Sequence, residues 1–209
     1  MIADKKNKGI YPSLADKLSL LLGIPVIRLD YRQPSKSGYC TADVIASFDY
    51  LERQFQSTRF VVVGWSFGGS PCFTVAEREP ERLCGVATVA SQTASTSGVS
   101  KLSPRPLLLL HGTGDRVLSP ACSKSLYQSY GTEGPRELKL FEGDDHGLSN
   151  HAEEAEELVF MFIAKTLGFG RLLENPEIAS QARQDLVESK DRRILEMEQG
   201  HDLEGERLS

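Results

Sequence analysis

Cysteine is sparse and scattered in this chain. Cys40, Cys72, Cys84 and Cys122 show no Cys-x-x-Cys spacing, which argues against both a disulfide framework and a zinc site. Reduced thiols in an intracellular, cytoplasmic protein are the expectation. Long apolar runs are also missing. None approaches the ~18 residues that a membrane span requires, so no membrane partner is expected. The opening Met1-Ile2-Ala3-Asp4-Lys5-Lys6-Asn7-Lys8 carries positive charge with no apolar stretch behind it, unlike a secretory signal. Positive charge is not in excess: 24 Lys and Arg face 29 Asp and Glu, a formal net charge of −5. Nucleic acid is therefore not an expected partner, because phosphate binding needs a basic patch.

What is present is an ordinary globular composition. It is 40% hydrophobic over 209 residues, enough for one domain with a sizeable core. Candidate strands and helices alternate, which predicts a mostly parallel sheet covered on both faces, a three-layer α/β/α architecture. Leu14, Leu18, Leu21 and Leu22 fall at helical spacing over residues 12–22, and Gly23 follows as a stop. Residues 24–29 read as a buried strand. Val44, Ile45, Phe48 and Leu51 share one face of a helix over 41–54. Arg59-Phe60-Val61-Val62-Val63 is the next strand, followed by a helix over 69–79 that Pro80 ends. Strands at 85–90, 106–110 and 136–141, a helix near 120–130 and an amphipathic helix over 151–167 complete the pattern.

The strand at 59–63 runs into Gly64-Trp65-Ser66-Phe67-Gly68-Gly69. A serine between two glycines, on a sharp turn out of a buried strand and into a helix, is a nucleophile elbow. The turn strains the serine backbone, often to φ > 0, and projects Oγ towards substrate. Gly64 and Gly68 are expected to spare the neighbouring strand and helix a side-chain collision. After Leu107-Leu108-Leu109-Leu110 the chain reads His111-Gly112-Thr113-Gly114-Asp115, which sets Asp115 at the carboxyl end of a strand. After Leu138-Lys139-Leu140-Phe141 comes Glu142-Gly143-Asp144-Asp145-His146, which sets His146 on a loop beyond another strand. The chain order Ser66, Asp115, His146 is that of the α/β-hydrolase triad. On these three motifs, residues 10–168 resemble an α/β-hydrolase. The motifs are specific to that superfamily and not to any one substrate.

The resemblance implies a serine hydrolase that cleaves carboxylic esters or thioesters through an acyl-serine, with no metal or organic cofactor. His146 would take the Ser66 proton and return it to the leaving group, while Asp115 holds the imidazole tautomer. The backbone N–H of Phe67 would be one oxyanion donor. Trp65 either lines an acyl pocket or packs beneath the elbow. Asp144 and Asp145 adjoin His146, but neighbouring side chains on an extended loop point apart, which favours Asp115. Asp30, within Arg28-Leu29-Asp30-Tyr31-Arg32, resembles a structural acid that satisfies local backbone or pairs with an arginine. His111 is expected to hydrogen-bond within its turn, and His151 and His201 to be solvated.

The segment 91–104 is short and rich in serine and threonine, where the superfamily usually inserts a lid. It leaves no room for a lid domain, so the site is expected to be open. That favours a small soluble ester, a thioester, or an acyl group displayed on a larger partner. Residues 171–209 hold ten acids and six bases. A hydrolase-like domain over 1–168 and a polar acidic tail over 169–209, partly helical or disordered, are therefore expected. The resemblance also implies three strands ahead of residues 24–29, and a second oxyanion donor after the third. Here that donor would fall near Ala3 and Asp4. The strand at 24–29 should then either lose a neighbour, at about 1–3 kcal/mol per unpaired buried group, or close onto 59–63 in a five-stranded sheet. A truncated, non-catalytic protein that binds a ligand or partner is the competing reading.

Overall fold

The computed structural model describes residues 10–184 and 186. The expectations placed on Ala3, Asp4, His201 and most of the acidic tail lie outside the described residues. Helices α1 (Tyr11–Leu22) and α2 (Ser37–Phe55) precede β1 (Phe60–Trp65). Then come α3 (Gly69–Arg78), β2 (Leu83–Val89), β3 (Leu107–Gly112), α4 (Ala121–Ser129) and β4 (Arg136–Phe141). Helices α5 (Ala152–Leu167) and α6 (Pro176–Gln181) close the order. The four strands form one parallel sheet in the order β1-β2-β3-β4.

Period-two alternation in the strands divides the core between the two faces of the sheet. Ala87, Val89, Leu108 and Leu110 pack on one face with Leu14, Leu18 and Leu22 of α1 and Val159, Phe160 and Ile163 of α5. Phe60, Val62, Val86, Leu107 and Leu109 pack on the other with Val44, Phe48 and Leu51 of α2, Phe73 and Val75 of α3, and Leu126 of α4. The expected three-layer α/β/α arrangement is therefore present. Helix α1 starts with a proline in its first turn and stops at Gly23, whose φ of 65° is cheap only for glycine.

Residues 24–29 correct the sequence reading, because they form no strand, and among the described residues the sheet has four strands, not five. Their alternation is real: Ile24 and Val26 lie against the α1/α5 side of the core, and Ile27 against the α2/α3 side. Alternation decides which face a side chain takes, but a ladder also needs a neighbour, and β1 pairs only with β2 among the described residues. Helix α2 begins four residues earlier than its apolar stripe suggested. Part of the segment expected as a tail lies among the described residues, up to 184 and at 186, and it touches the core. Phe169, Leu173 and Ile178 pack on the core and Ala182 is buried in it. No described helix is long and apolar enough to cross a membrane.

Between α1 and α5, Lys17 Nζ meets Glu156 Oε1 at 2.5 Å with both side chains buried, and Ser13 Oγ donates to the same oxygen at 2.8 Å. Removing one partner leaves the other charge buried and unpaired. Lys17→Ala is expected to cost about 3–5 kcal/mol of stability, read as a lower denaturant midpoint with an unchanged slope. Replacing both residues with leucine should recover much of that loss.

Candidate active site

Strand β1 ends at Trp65, and the 3-10 turn Ser66–Gly68 leads into α3. Ser66 sits at φ 55°, a conformation that costs a non-glycine residue energy and recurs at functional turns. Close packing explains the adjacent glycines. A Cβ at Gly64 would stand 2.4 Å from the Gly68 carbonyl oxygen and 2.7 Å from Cys72 Sγ. The second glycine that packing requires is Gly69, not Gly68 as the sequence suggested. A Cβ at Gly69 would stand 2.0 Å from Ser91 Oγ, whereas one at Gly68 would meet nothing nearer than Tyr31 Oη at 3.9 Å.

Two loops after neighbouring strands clasp each other beside this turn. The Gly114 N–H donates to the Asp144 carbonyl at 2.8 Å, and the Gly143 N–H to Thr113 Oγ1 at 2.7 Å. This clasp brings Asp115 and His146 together. His146 Nδ1–H donates to Asp115 Oδ2 at 2.7 Å. The other oxygen, Oδ1, accepts the backbone N–H groups of Val117 (2.7 Å) and Leu118 (2.9 Å). The Asp115 side chain is fully buried, and that of His146 is 24% exposed. Burial pushes the Asp115 carboxyl upward. The Leu118 N–H, the His146 ring and the Val117 N–H outweigh it and hold the carboxyl below the ordinary range.

The neighbouring acids are engaged elsewhere. Asp145 accepts from the backbone of Gly147 and Ser149 and from Ser149 Oγ. Asp144 is buried and accepts from the backbone of Asp145 and Asn150, from Asn150 Nδ2, and from His151 Nδ1 at 2.7 Å. His151 is thus not simply solvated, which the sequence reading missed. Burial raises the Asp144 carboxyl, but the His151 ring and the Asn150 and Asp145 donors bring it below the ordinary range. Both carboxylates add stability that is fully present above the ordinary aspartate pKa of about 4 and is lost as pH falls through their depressed values. Asp144→Asn should therefore cost most near pH 7, and its deficit in Tm should shrink steadily below pH 4.

Trp65 ties the turn to the histidine loop, since its indole N–H donates to the His146 carbonyl at 3.1 Å. Its ring meets Tyr11 edge to face at 6.2 Å. Phe67 packs edge to face on Tyr31 at 6.3 Å, and its N–H lies in the first turn of a helix, where donors lack intrahelical acceptors. Ser66 Oγ makes no hydrogen bond to His146 among the described residues. A cleft of about 470 Å³ lies beside His146, lined by Gly114, Arg116, Val117, Gly143, Asp145 and Gly147. Trp65 is not among its walls. Asp30 is exposed, and the buried acid that pairs with arginine nearby is Asp43, which accepts from the Arg32 backbone N–H at 3.0 Å and from its guanidinium. Among the described residues no group of three His, Cys, Asp or Glu is placed to hold a metal ion, and the cysteines are free thiols.

The chain belongs to the alpha/beta hydrolase fold family, whose model matches residues 6–134. Its fold is similar to that of Est1E from Butyrivibrio proteoclasticus, at 14% identity and a TM-score of 0.62 over 80% of this chain and 85% of that one. The esterase domain of a Rhodothermus marinus protein is 19% identical, with a TM-score of 0.62 over 78% of this chain and 82% of that one. An α/β serine hydrolase without lid from Xanthomonas campestris is 16% identical, with a TM-score of 0.58 over 77% and 74%. No curated protein matches. The segment between β2 and β3 holds one short 3-10 turn, Ser97–Lys101, and no lid domain.

Proposed function

We propose that this protein is a serine hydrolase that cleaves carboxylic esters or thioesters through an acyl-Ser66 intermediate. The observation that carries this reading is the His146–Asp115 hydrogen bond of 2.7 Å beside a serine held at φ 55°. With Nδ1 bound to Asp115, the neutral imidazole keeps its lone pair on Nε2, the atom that must take the serine proton. As Oγ attacks the acyl carbon, His146 Nε2 accepts that proton and the carbonyl oxygen becomes an oxyanion. Asp115 stabilises the imidazolium, and the Phe67 N–H faces the developing charge. Collapse expels the alcohol or thiol, protonated by His146. Water then attacks the acyl-enzyme through the same proton path and releases the acid.

The short β2–β3 connection and the open cleft favour a compact soluble ester, a thioester or an acyl group carried on a larger partner. A panel of p-nitrophenyl esters and acyl thioesters of increasing chain length tests this reading. Short acyl groups should give the highest kcat/KM, with a sharp fall for long chains; a rise with chain length at an oil–water interface would contradict it. A second reading, a non-catalytic protein that binds a ligand or partner, draws support from the Ser66 hydroxyl, which has no hydrogen bond to His146. It predicts ligand binding without turnover of any ester.

A further inference from the structure

Asp115 has a second histidine on it. His111, the fifth residue of β3, is fully buried. Its Nε2 lies 3.1 Å from Asp115 Oδ2 and 3.0 Å from the Leu118 carbonyl oxygen. Its Nδ1 lies 2.7 Å from Ser123 Oγ on α4. The tautomer follows from these partners. A lone pair on Nε2 would face two oxygens that can only accept, so Nε2 carries the proton. Nδ1 then accepts the Ser123 hydroxyl. Asp115 Oδ2 therefore receives two ring N–H groups, one from His111 and one from His146, while Oδ1 receives two backbone N–H groups.

The geometry points to His111 as a positioning residue for the hydrolytic site: through Asp115 it aims and moderates the carboxylate on which His146 depends. This rests on the hydrolase reading above. His111 touches no reacting atom. Its N–H fixes Oδ2 in the plane that His146 Nδ1–H needs, with Ser123 holding the ring from behind. By sharing Oδ2 it also draws off part of the negative charge that would otherwise act on His146 alone. Removing that donor leaves the carboxylate a stronger partner for the imidazolium, which moves the acidic limb of the reaction's pH profile upward. Among the described residues the titratable groups bonded to Asp115 are the two histidines, and Arg116 and Asp145 line the cleft with His146. Asp144, on the loop after β4, meets this region through its backbone carbonyl and turns its carboxylate to His151 and Asn150.

Two readouts test this, one of which needs no catalysis. The first is the pH profile of the rate at which a fluorophosphonate modifies the serine, in wild type, His111→Leu and His111→Gln. Leucine fills the space without a donor, and glutamine returns an N–H near the position of Nε2. The acidic midpoint should rise by about one pH unit in His111→Leu, a tenfold change in proton concentration, and return most of the way in His111→Gln. The second is the ring ¹⁵N and N–H spectrum. Wild type should show His111 protonated on Nε2, and the His146 Nδ1–H resonance should move in His111→Leu. A folded His111→Leu with the wild-type midpoint and an unmoved His146 resonance would overturn the inference. So would an Nδ1-protonated His111 in wild type, which decides the matter even if the leucine variant does not fold. If no variant reacts with the probe but the His146 resonance moves, the coupling of His111 to His146 through Asp115 stands and the hydrolase reading fails.

Discussion

Ser66→Ala should all but abolish ester hydrolysis, with kcat falling by about 10⁶-fold to the residual rate that binding and the oxyanion donor alone sustain. The magnitude follows from the division of labour. In the proposed mechanism no acyl-enzyme forms without Oγ and His146 has no proton to move, so the histidine and the aspartate would lose their function together. Stability should move the other way or not at all. Ser66 occupies φ 55°, makes no hydrogen bond to His146, and is only partly buried. Alanine there bears the same backbone strain without any buried polar partner to orphan. A Ser66→Ala protein with a wild-type Tm and no turnover is the expected pair of results. Turnover within tenfold of wild type would place the nucleophile elsewhere.

Asp115→Asn should cost about 10⁴-fold in kcat while leaving the chain folded. An asparagine has one acceptor oxygen where four donors converge: the Val117 and Leu118 N–H groups on one side and the His111 and His146 rings on the other. Two backbone donors are fixed by the loop, whereas a histidine can change its tautomer. The oxygen will therefore turn to the backbone and the amide NH₂ to the rings. That forces the His146 proton onto Nε2, where it blocks acceptance of the serine proton. The loss should be greatest near neutral pH and ease at high pH, where hydroxide can replace the missing base. Equal loss at every pH would mean that the carboxylate acts by packing alone. Asp145→Asn provides the contrast: its carboxylate serves the Gly147 and Ser149 backbone, so kcat should change by less than about tenfold.

Much of this was legible in the residues because the fold repeats a simple local rule. The leucine spacing in α1 and the β-branched or leucine runs of β1 and β3 are burial patterns, and burial is what the sequence encodes most directly. The positions of Ser66, Asp115 and His146 after β1, β3 and β4 could be read because each follows an apolar run that a glycine-bearing segment ends. Residues 24–29 misled for a physical reason: Ile24, Val26 and Ile27 alternate between two cores as a strand would, but hydrogen-bond pairing depends on a neighbour that alternation does not report. Packing that arises only in three dimensions was likewise hidden. Nothing local shows that Gly69 rather than Gly68 must clear the Ser91 side chain, or that His151 reaches a buried Asp144. For His111 the sequence predicts a hydrogen bond within its own turn. Its bond to Asp115 does lie there, but its hold on Ser123 of α4 could not be seen from the turn.

The most direct test of the central claim is to treat the purified protein with a fluorophosphonate and locate the adduct by peptide mass spectrometry. A single stoichiometric adduct on Ser66, absent in Ser66→Ala and slowed at least a thousandfold in His146→Ala, is the result expected of an activated nucleophile. A folded protein that takes up no probe, or takes it up at another residue, would contradict the account.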